Sequence, residues 1–411
     1  MSYTIHPVQT EKDKKDFLNV AHSIYKADSN WVAPLNKQIH NIFEPGKNTY
    51  FEHGIARRWT LKNSTGDNVG RIAAFIDTDK KKPNELYVGG VGFFECINNQ
   101  VAASMLFDTG KKWLQENKAD AMDGPINFGE NDRFWGLLVE GFTEPPFTTN
   151  YNHPYYQQLF ENYGFKDYYD MTSNVIDLEK PFDGRFERIW SRVKEKNEVD
   201  VRYPDKKNLD VFAHYFMEIY HDAWQFHEEY KPITAIRALK FAKEMRFLFV
   251  KKMIPFVFVK GEPAGFLICT PDLNQIFKQF NGHINPLQLL QFMWRSRNDF
   301  AWYRKNGILT RGHAIAIGIK PKFQQSGLET GMIMSSLDDV RKLGFKSIEL
   351  RWAGDFNAKI NRLHSAVGAV QARKHITYRL LFDENIEFKR YKPIPMSRGK
   401  AEPSSGIPVE N

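Results

Sequence analysis

The feature that most constrains this chain is a repeat. Residues 66–77 read GDNVGRIAAFID and residues 261–272 read GEPAGFLICTPD; one offset of 195 aligns Gly66 with Gly261, Gly70 with Gly265 and Asp77 with Asp272. Both join an acidic, glycine-containing turn to a β-rich apolar run, the pattern of the second strand of a hairpin. YNHPYYQQLFENYGF (151–165) and FNAKINRLHSAVGA (356–369) each lead from Asn through an amphipathic helix to Gly and an apolar residue, at an offset of 204 for Gly164 and Gly368. A third pair, MLFDTGKKWLQENKADAM (105–122) and MIMSSLDDVRKLGFKSIEL (332–350), couples a helix to a short strand. Three matches in one order predict a duplicated unit of mixed α/β class.

The length of 411 residues suits two units of about 100–200 residues each. The unequal offsets place insertions near 127–150 in the first copy and 273–305 in the second, the latter with two stretches rich in Phe, Met and Trp. Such a stretch would either cover a hydrophobic substrate pocket or pack between the copies. A charged, period-free stretch at 180–208 marks the junction. The expected domains are therefore 1–182 and 183–392, packed as a pseudo-dimer within one chain, followed by a disordered tail at 393–411. Helices are expected over 208–250, where Phe212, Phe216, Ile219 and Tyr220 recur at helical spacing.

The formal charge of +8 is unevenly placed: residues 1–180 hold 19 Lys and Arg against 24 Asp and Glu, so every excess positive charge lies beyond them. An anionic partner belongs to the second copy. Cys96 and Cys269 sit in apolar runs without companions at metal-ligand spacing, so buried free thiols in a reducing cytoplasm are expected. His221 and His227, in HDAWQFHEEY, are six apart rather than four, which argues against zinc. The start of the chain has no signal-peptide core, and no apolar stretch reaches the ~20 residues that span a bilayer.

The most informative segment is HAIAIGIKPKFQQSGLETGMIMSSLDDV. An apolar strand, Ala314 to Ile319, leads through a polar loop holding Gly327 into a helix from about Leu328. Strand, loop and helix start in that order make an anion site, because the first-turn amides lack intrahelical partners and the helix dipole adds positive character. Alone, the pattern equally describes an ordinary crossover.

This segment resembles the acetyl-CoA motif of the GNAT acyltransferases, a strand followed by Gln/Arg-x-x-Gly-x-Gly/Ala. Gln324 and Gly327 match; Glu329 stands where the family has Gly or Ala. The family's next element is matched by the strand SIELRW, then Asn357, then His364 at the position of a helical Tyr, then Gly368. The resemblance covers about 205–385 and extends more weakly to the first copy, where Gln100 aligns with Gly327 and the phosphate loop is degenerate. It implies two tandem GNAT-like domains, with the second using acetyl-CoA or another acyl-CoA as co-substrate for N-acyl transfer to a small-molecule or peptide amine. The pantetheine would lie along Ile317, Gly318 and Ile319, and the pyrophosphate on the turn Gln324, Gln325, Ser326, Gly327, Leu328, Glu329 and Thr330, with Asn357 nearby.

The resemblance also implies direct attack of the amine on the thioester. His364 would then protonate the leaving thiolate, an imidazolium near its ordinary pKa of about 6.5 being a competent acid. Glu349 and Asp272 are the candidates for general base. Glu329 argues against the assignment, since a first-turn carboxylate repels a pyrophosphate; Lys320, Lys322 or Arg373 would have to offset it. Two other readings stay open: a non-catalytic binding protein on a GNAT scaffold, and an aminoacyl-tRNA-dependent transferase. No DNA partner is expected, and no Lys/Arg run with interleaved aromatics marks an RNA surface.

Overall fold

A computed structural model describes residues 2–394 except 182–183, 206, 226–231, 246–247 and 325. The first half runs β1 (Tyr3–Pro7), α1 (Glu11–Ile24), α2 (Asn36–Ile42), β2 (Gly54–Asn63), β3 (Asn68–Asp77), β4 (Val88–Cys96), α3 (Gln100–Glu116), β5 (Ala121–Gly124), β6 (Leu137–Glu140), α4 (Tyr156–Tyr163) and β7 (Lys166–Asp177). After α5 (Gly184–Asn197) the same series returns. It begins with β8 (Val199–Arg202), α6 (Leu209–Trp224), α7 (Ala235–Met245), β9 (Phe256–Val259) and β10 (Glu262–Pro271). The inserted α8 (Asn274–Phe277), α9 (Pro286–Arg295) and α10 (Arg297–Lys305) come next. The series then resumes with β11 (Arg311–Ile319), α11 (Leu328–Lys342), β12 (Ser347–Gly354), α12 (Ala358–Ala366) and β13 (Val370–Leu381).

Leaving aside β6, α5 and α8–α10, the two series match element for element, as the repeat predicts. Gly66 and Gly261, aligned in sequence, occupy the turns of the β2–β3 and β9–β10 hairpins at φ +90° and +81°, a conformation open to glycine at little cost.

The thirteen strands among the described residues form one sheet of order β1-β2-β3-β4-β5-β13-β7-β12-β11-β10-β9-β8, with β6 beside β13. The order is palindromic about the antiparallel β13/β7 pair. The halves have exchanged their last strands, so β13 lies against β5 and β7 against β12. Each hydrophobic core therefore contains side chains from the other half: Ile376 and Tyr378 in the first, Ile176 in the second.

Among the described residues two strand pairs are parallel, β4/β5 and β11/β12, one in each half. Both free thiols are buried, and burial pushes each up to about 12. No described helix is long and apolar enough to cross a membrane. The expected tail lies almost wholly outside the described residues, as do His227, Glu228, Glu229 and Tyr230 of the histidine cluster.

Candidate functional site

The sheet forks at β11 and β12. Their parallel register runs from Arg311–Ser347 to Ala314–Leu350 and stops, while β11 continues to Ile319 against β10 alone. β12 leaves its partner and pairs with β7, Ala353 opposite Thr172. The β10/β11 register skips Ile315, a bulge at the mouth of the fork. Ile315, Ala316 and Ile317, along the diverging edge, are half-buried. An extended chain that adds along a strand edge fits such a fork.

At the outer end of β11 the loop turns into α11 through Gly327, left-handed at φ +82°. Gln324 ties the loop down: Nε2 donates to the Ile319 carbonyl at 2.9 Å, and Oε1 accepts from Lys359 Nζ at 2.5 Å. Ser326 Oγ donates to the Phe323 carbonyl and accepts from Leu328 N at 3.4 Å, loosely occupying one first-turn amide. Glu329 is half-buried in that turn, and Asn357 caps α12, accepting from Ile360 N. Gln325 lies outside the described residues.

Two further features bear on this loop. α5 lies across it, so that a Cβ on Gly327 would sit 3.1 Å from Ile189 Cγ2 and one on Gly331 would collide with the Trp190 ring. The motif glycine is thus required by conformation and by packing, apart from any ligand. The cations expected to offset Glu329 are also engaged elsewhere. Lys320 Nζ lies 2.5 Å from Glu218 and 3.1 Å from Glu262, Lys322 pairs with Glu262, and Arg373 with Glu349.

The closed end of the fork gathers buried charge. Glu349 pairs with Arg373 at 3.1 Å, and Asp272 with Arg311 at 2.9 Å. Arg311 also holds Glu144 at 2.5 Å. Burial raises the pKa of Glu349 and of Asp272, opposed in each case by the paired arginine. Of the three candidate catalytic residues, the fold brings these two into one cluster. Asp272 Oδ1 also accepts from Phe147 N and Asn274 N, the bonding of a structural carboxylate rather than a free base.

His364 stands on the other side of the fork. It is buried on α12, and its Nδ1 lies 3.0 Å from Asn174 Nδ2 on β7, opposite Leu350 where the register ends. Accepting at Nδ1 places the ring proton on Nε2. Burial lowers its pKa to about 4, so the resting ring is neutral at pH 7, unlike the imidazolium expected from the sequence.

Three contributors were not singled out from the sequence. His313, the first letter of HAIAIGIK, is the register partner of Glu349; its Nε2 contacts Thr270 Oγ1 at 3.1 Å and its buried Nδ1 has no hydrogen-bond partner. Desolvation, then the Arg351 charge, keeps this ring neutral. Arg351 is held by the Asp132 and Phe147 carbonyls and by Thr148. The third is the first-copy insertion itself, which folds over the cluster through Thr143, Glu144 and Phe147.

The corresponding fork of the first half is filled. β4/β5 pairing stops at Gly90–Asp123, but Tyr156 OH accepts from Cys96 N and Tyr155 OH donates to the Cys96 carbonyl. Tyr25 and Tyr156 both donate to the buried Glu95, which also pairs with Arg71. The cavity beside them, about 60 Å³, accommodates a few waters and no nucleotide. The helix cap here is Asn99, one residue before the expected Gln100, and its side chain accepts from Ala102 N where a phosphate would bind. Elsewhere in this half, His53, Asp77 and Asp79 come within 4.8 Å of one another, but His53 Nδ1 is already 2.7 Å from Asp77 Oδ1.

The fold is shared with solved structures. The chain superposes on a tandem GNAT protein from the clavulanic acid biosynthesis pathway with a TM-score of 0.51 and 11% identity, over 92% of this chain and 98% of that one. The fold is that of a tandem GNAT protein. A GCN5-related N-acetyltransferase from Sphaerobacter thermophilus gives a TM-score of 0.51 at 12% identity, over 95% of this chain and 98% of that one. The glucosamine N-acetyltransferase region of a fungal multidomain β-N-acetylglucosaminidase gives 0.54 at 12%; the match takes in 92% of this chain and 38% of that one. No family model matches. Two curated relatives align along nearly the whole chain. A bacterial ceramide synthase of Caulobacter vibrioides is 25% identical over 383 residues, 91% of this chain and 96% of that protein. Protein YghO of Escherichia coli is 23% identical over 374 residues, 90% and 93%.

Proposed function

We propose that the chain is an amide-forming acyltransferase that works at the β11/β12 fork, taking its acyl group from an acyl-CoA and giving it to a long-chain primary amine. The observation that carries this reading is the fork itself. Among the described residues it leaves the β12-facing edge of Ile315–Ile319 without a strand beside it, and Glu349 and His313 lie at its closed end. The amine acceptor follows from the similarity to a ceramide synthase, since a ceramide is the amide of a fatty acid and a long-chain amino alcohol.

In this reading the amine nitrogen bonds to the thioester carbonyl, the C–S bond breaks, and the nitrogen's proton passes to Glu349, directly or through His313. The sulfur leaves as a thiolate that the neutral Nε2–H of His364 can hydrogen-bond, and it is protonated by the proton Glu349 has taken up or by water. The cluster's arginines keep Glu349 paired without a water shell, and the 131–148 segment shields it from solvent.

Purified protein supplied with a long-chain amino alcohol and acyl-CoAs of increasing length should release free thiol and form the amide. Failure of every acyl-CoA to raise the melting temperature, with no thiol released, would overturn the proposal. A binding-only role is favoured by one observation, the apolar cover of α5 over the loop of Gly327. It predicts stabilisation by CoA without thiol release.

A further inference from the structure

The insertion expected either to cover a pocket or to pack between the halves does neither along α9. No residue of α9 is buried. Leu287, Leu290 and Trp294 are 76%, 64% and 60% exposed, at the i, i+3, i+7 spacing of one helical face. Leu289 and Met293 extend that face, also exposed. The inward side is formed by Phe292, which packs on Phe277 at 5.3 Å, and by Arg295, stacked 3.9 Å over Trp302. The helix is therefore inverted, with its apolar side chains toward solvent.

The inversion is built firmly. Asn285 and Gln288 form a reciprocal capping box with Pro286 in the first turn, so α9 is a well-started helix. Contact with the first half comes just before it, where Asn36 N donates to the Gly282 carbonyl. Five exposed apolar side chains in ten residues form a patch of the kind that marks a membrane or protein surface.

Charge decides between those two. Residues 273–305 contain Lys278, Arg295, Arg297, Arg304 and Lys305 against a single acid, Asp299. Arg297 and Lys305, in the segment that follows α9, are exposed. An apolar helical face with Trp and Leu, bordered by cations, is the composition of a helix lying in the plane of a lipid interface. A second copy of the chain would present the same cations to itself.

We propose that α9 docks the protein on an anionic bilayer, with Leu287, Leu290 and Trp294 inserted at the acyl boundary and Arg297 and Lys305 among the phosphates. This rests on the surface alone and holds whichever acyl acceptor the fork takes.

The test is co-sedimentation of the full chain with vesicles of phosphatidylcholine containing phosphatidylglycerol, compared with pure phosphatidylcholine. Wild type should bind the anionic vesicles and release them at high salt. Leu287→Gln combined with Leu290→Gln should lower the partition coefficient at least about tenfold, because two exposed leucines no longer transfer from water. Arg297→Glu with Lys305→Glu should remove the preference for anionic lipid. A blue shift of tryptophan emission on adding vesicles should be lost in Trp294→Phe while binding persists. Unchanged sedimentation of the leucine variant, or a wild-type dimer in solution that this variant makes monomeric, would overturn the proposal.

Discussion

His313 and Glu349 are register partners on the parallel strands β11 and β12, one position before the fork opens. Aligned residues of a parallel pair present their side chains on the same sheet face. A neutral imidazole with one unpartnered nitrogen thus stands beside a carboxylate that burial makes more basic. Glu349→Gln keeps the shape and removes the proton acceptor. Turnover should fall by about 10²–10⁴, with KM little changed. In wild type, activity should be lost as pH falls through a Glu349 pKa above the ordinary 4.5. An acid limb that is the same in Glu349→Gln would exclude this residue as the base.

Three buried histidines, His313, His364 and His375, should make the fold acid-labile. Burial lowers His364 and His375 to about 4 each from 6.5. The unfolded chain therefore binds their protons first, so stability is full above about pH 6.5 and is lost as pH falls toward 4. Each ring would contribute up to roughly 3 kcal/mol of that loss. Denaturant unfolding at pH 7.5 and 4.5 measures it, and His364→Gln should flatten the dependence by about a third, since His313 and His375 remain. An equal slope in the variant would show that His364 is not a source of it.

The two glycines at the start of α11 separate packing from ligand binding. Gly331→Ala would drive a methyl into the Trp190 ring and should cost about 1–3 kcal/mol by displacing α5. Gly327→Ala forces a side chain into φ +82°, a cost of about 1–2 kcal/mol, and tightens the loop against Ile189. If α5 blocks the loop, loosening it in Gly331→Ala should strengthen CoA binding, read by calorimetry. If α5 supports the loop, both variants should weaken it.

The duplication was legible because turn glycines and amphipathic periods survive where identities do not: Gly66 and Gly261, Gly164 and Gly368 occupy matching places. The exchange of β7 and β13 was not legible, because a strand's own pattern does not say which copy supplies its neighbour. Glu349 was legible as a carboxylate on the strand SIELRW and Asp272 as one at the end of its hairpin strand. Their arginine partners were not, since Arg373 and Arg311 are 24 and 39 positions away in sequence. His313 escaped notice because a single polar letter before an apolar strand has no period.

The exchanged strands should make the two halves unfold as one. Tyr378 belongs to the second copy by sequence, yet it is 1% exposed in the core of the first half, with its hydroxyl donating to Glu161 at 2.9 Å. Tyr378→Ala should cost about 3–5 kcal/mol, the range for emptying a large aromatic site. Because β13 also pairs with β7, and β7 with β12, the loss should be shared rather than confined to the first half. A single, cooperative denaturant transition that moves as a whole in Tyr378→Ala is the expected outcome. Two transitions, with only the earlier one shifted, would show that the copies keep separate stabilities despite the continuous sheet.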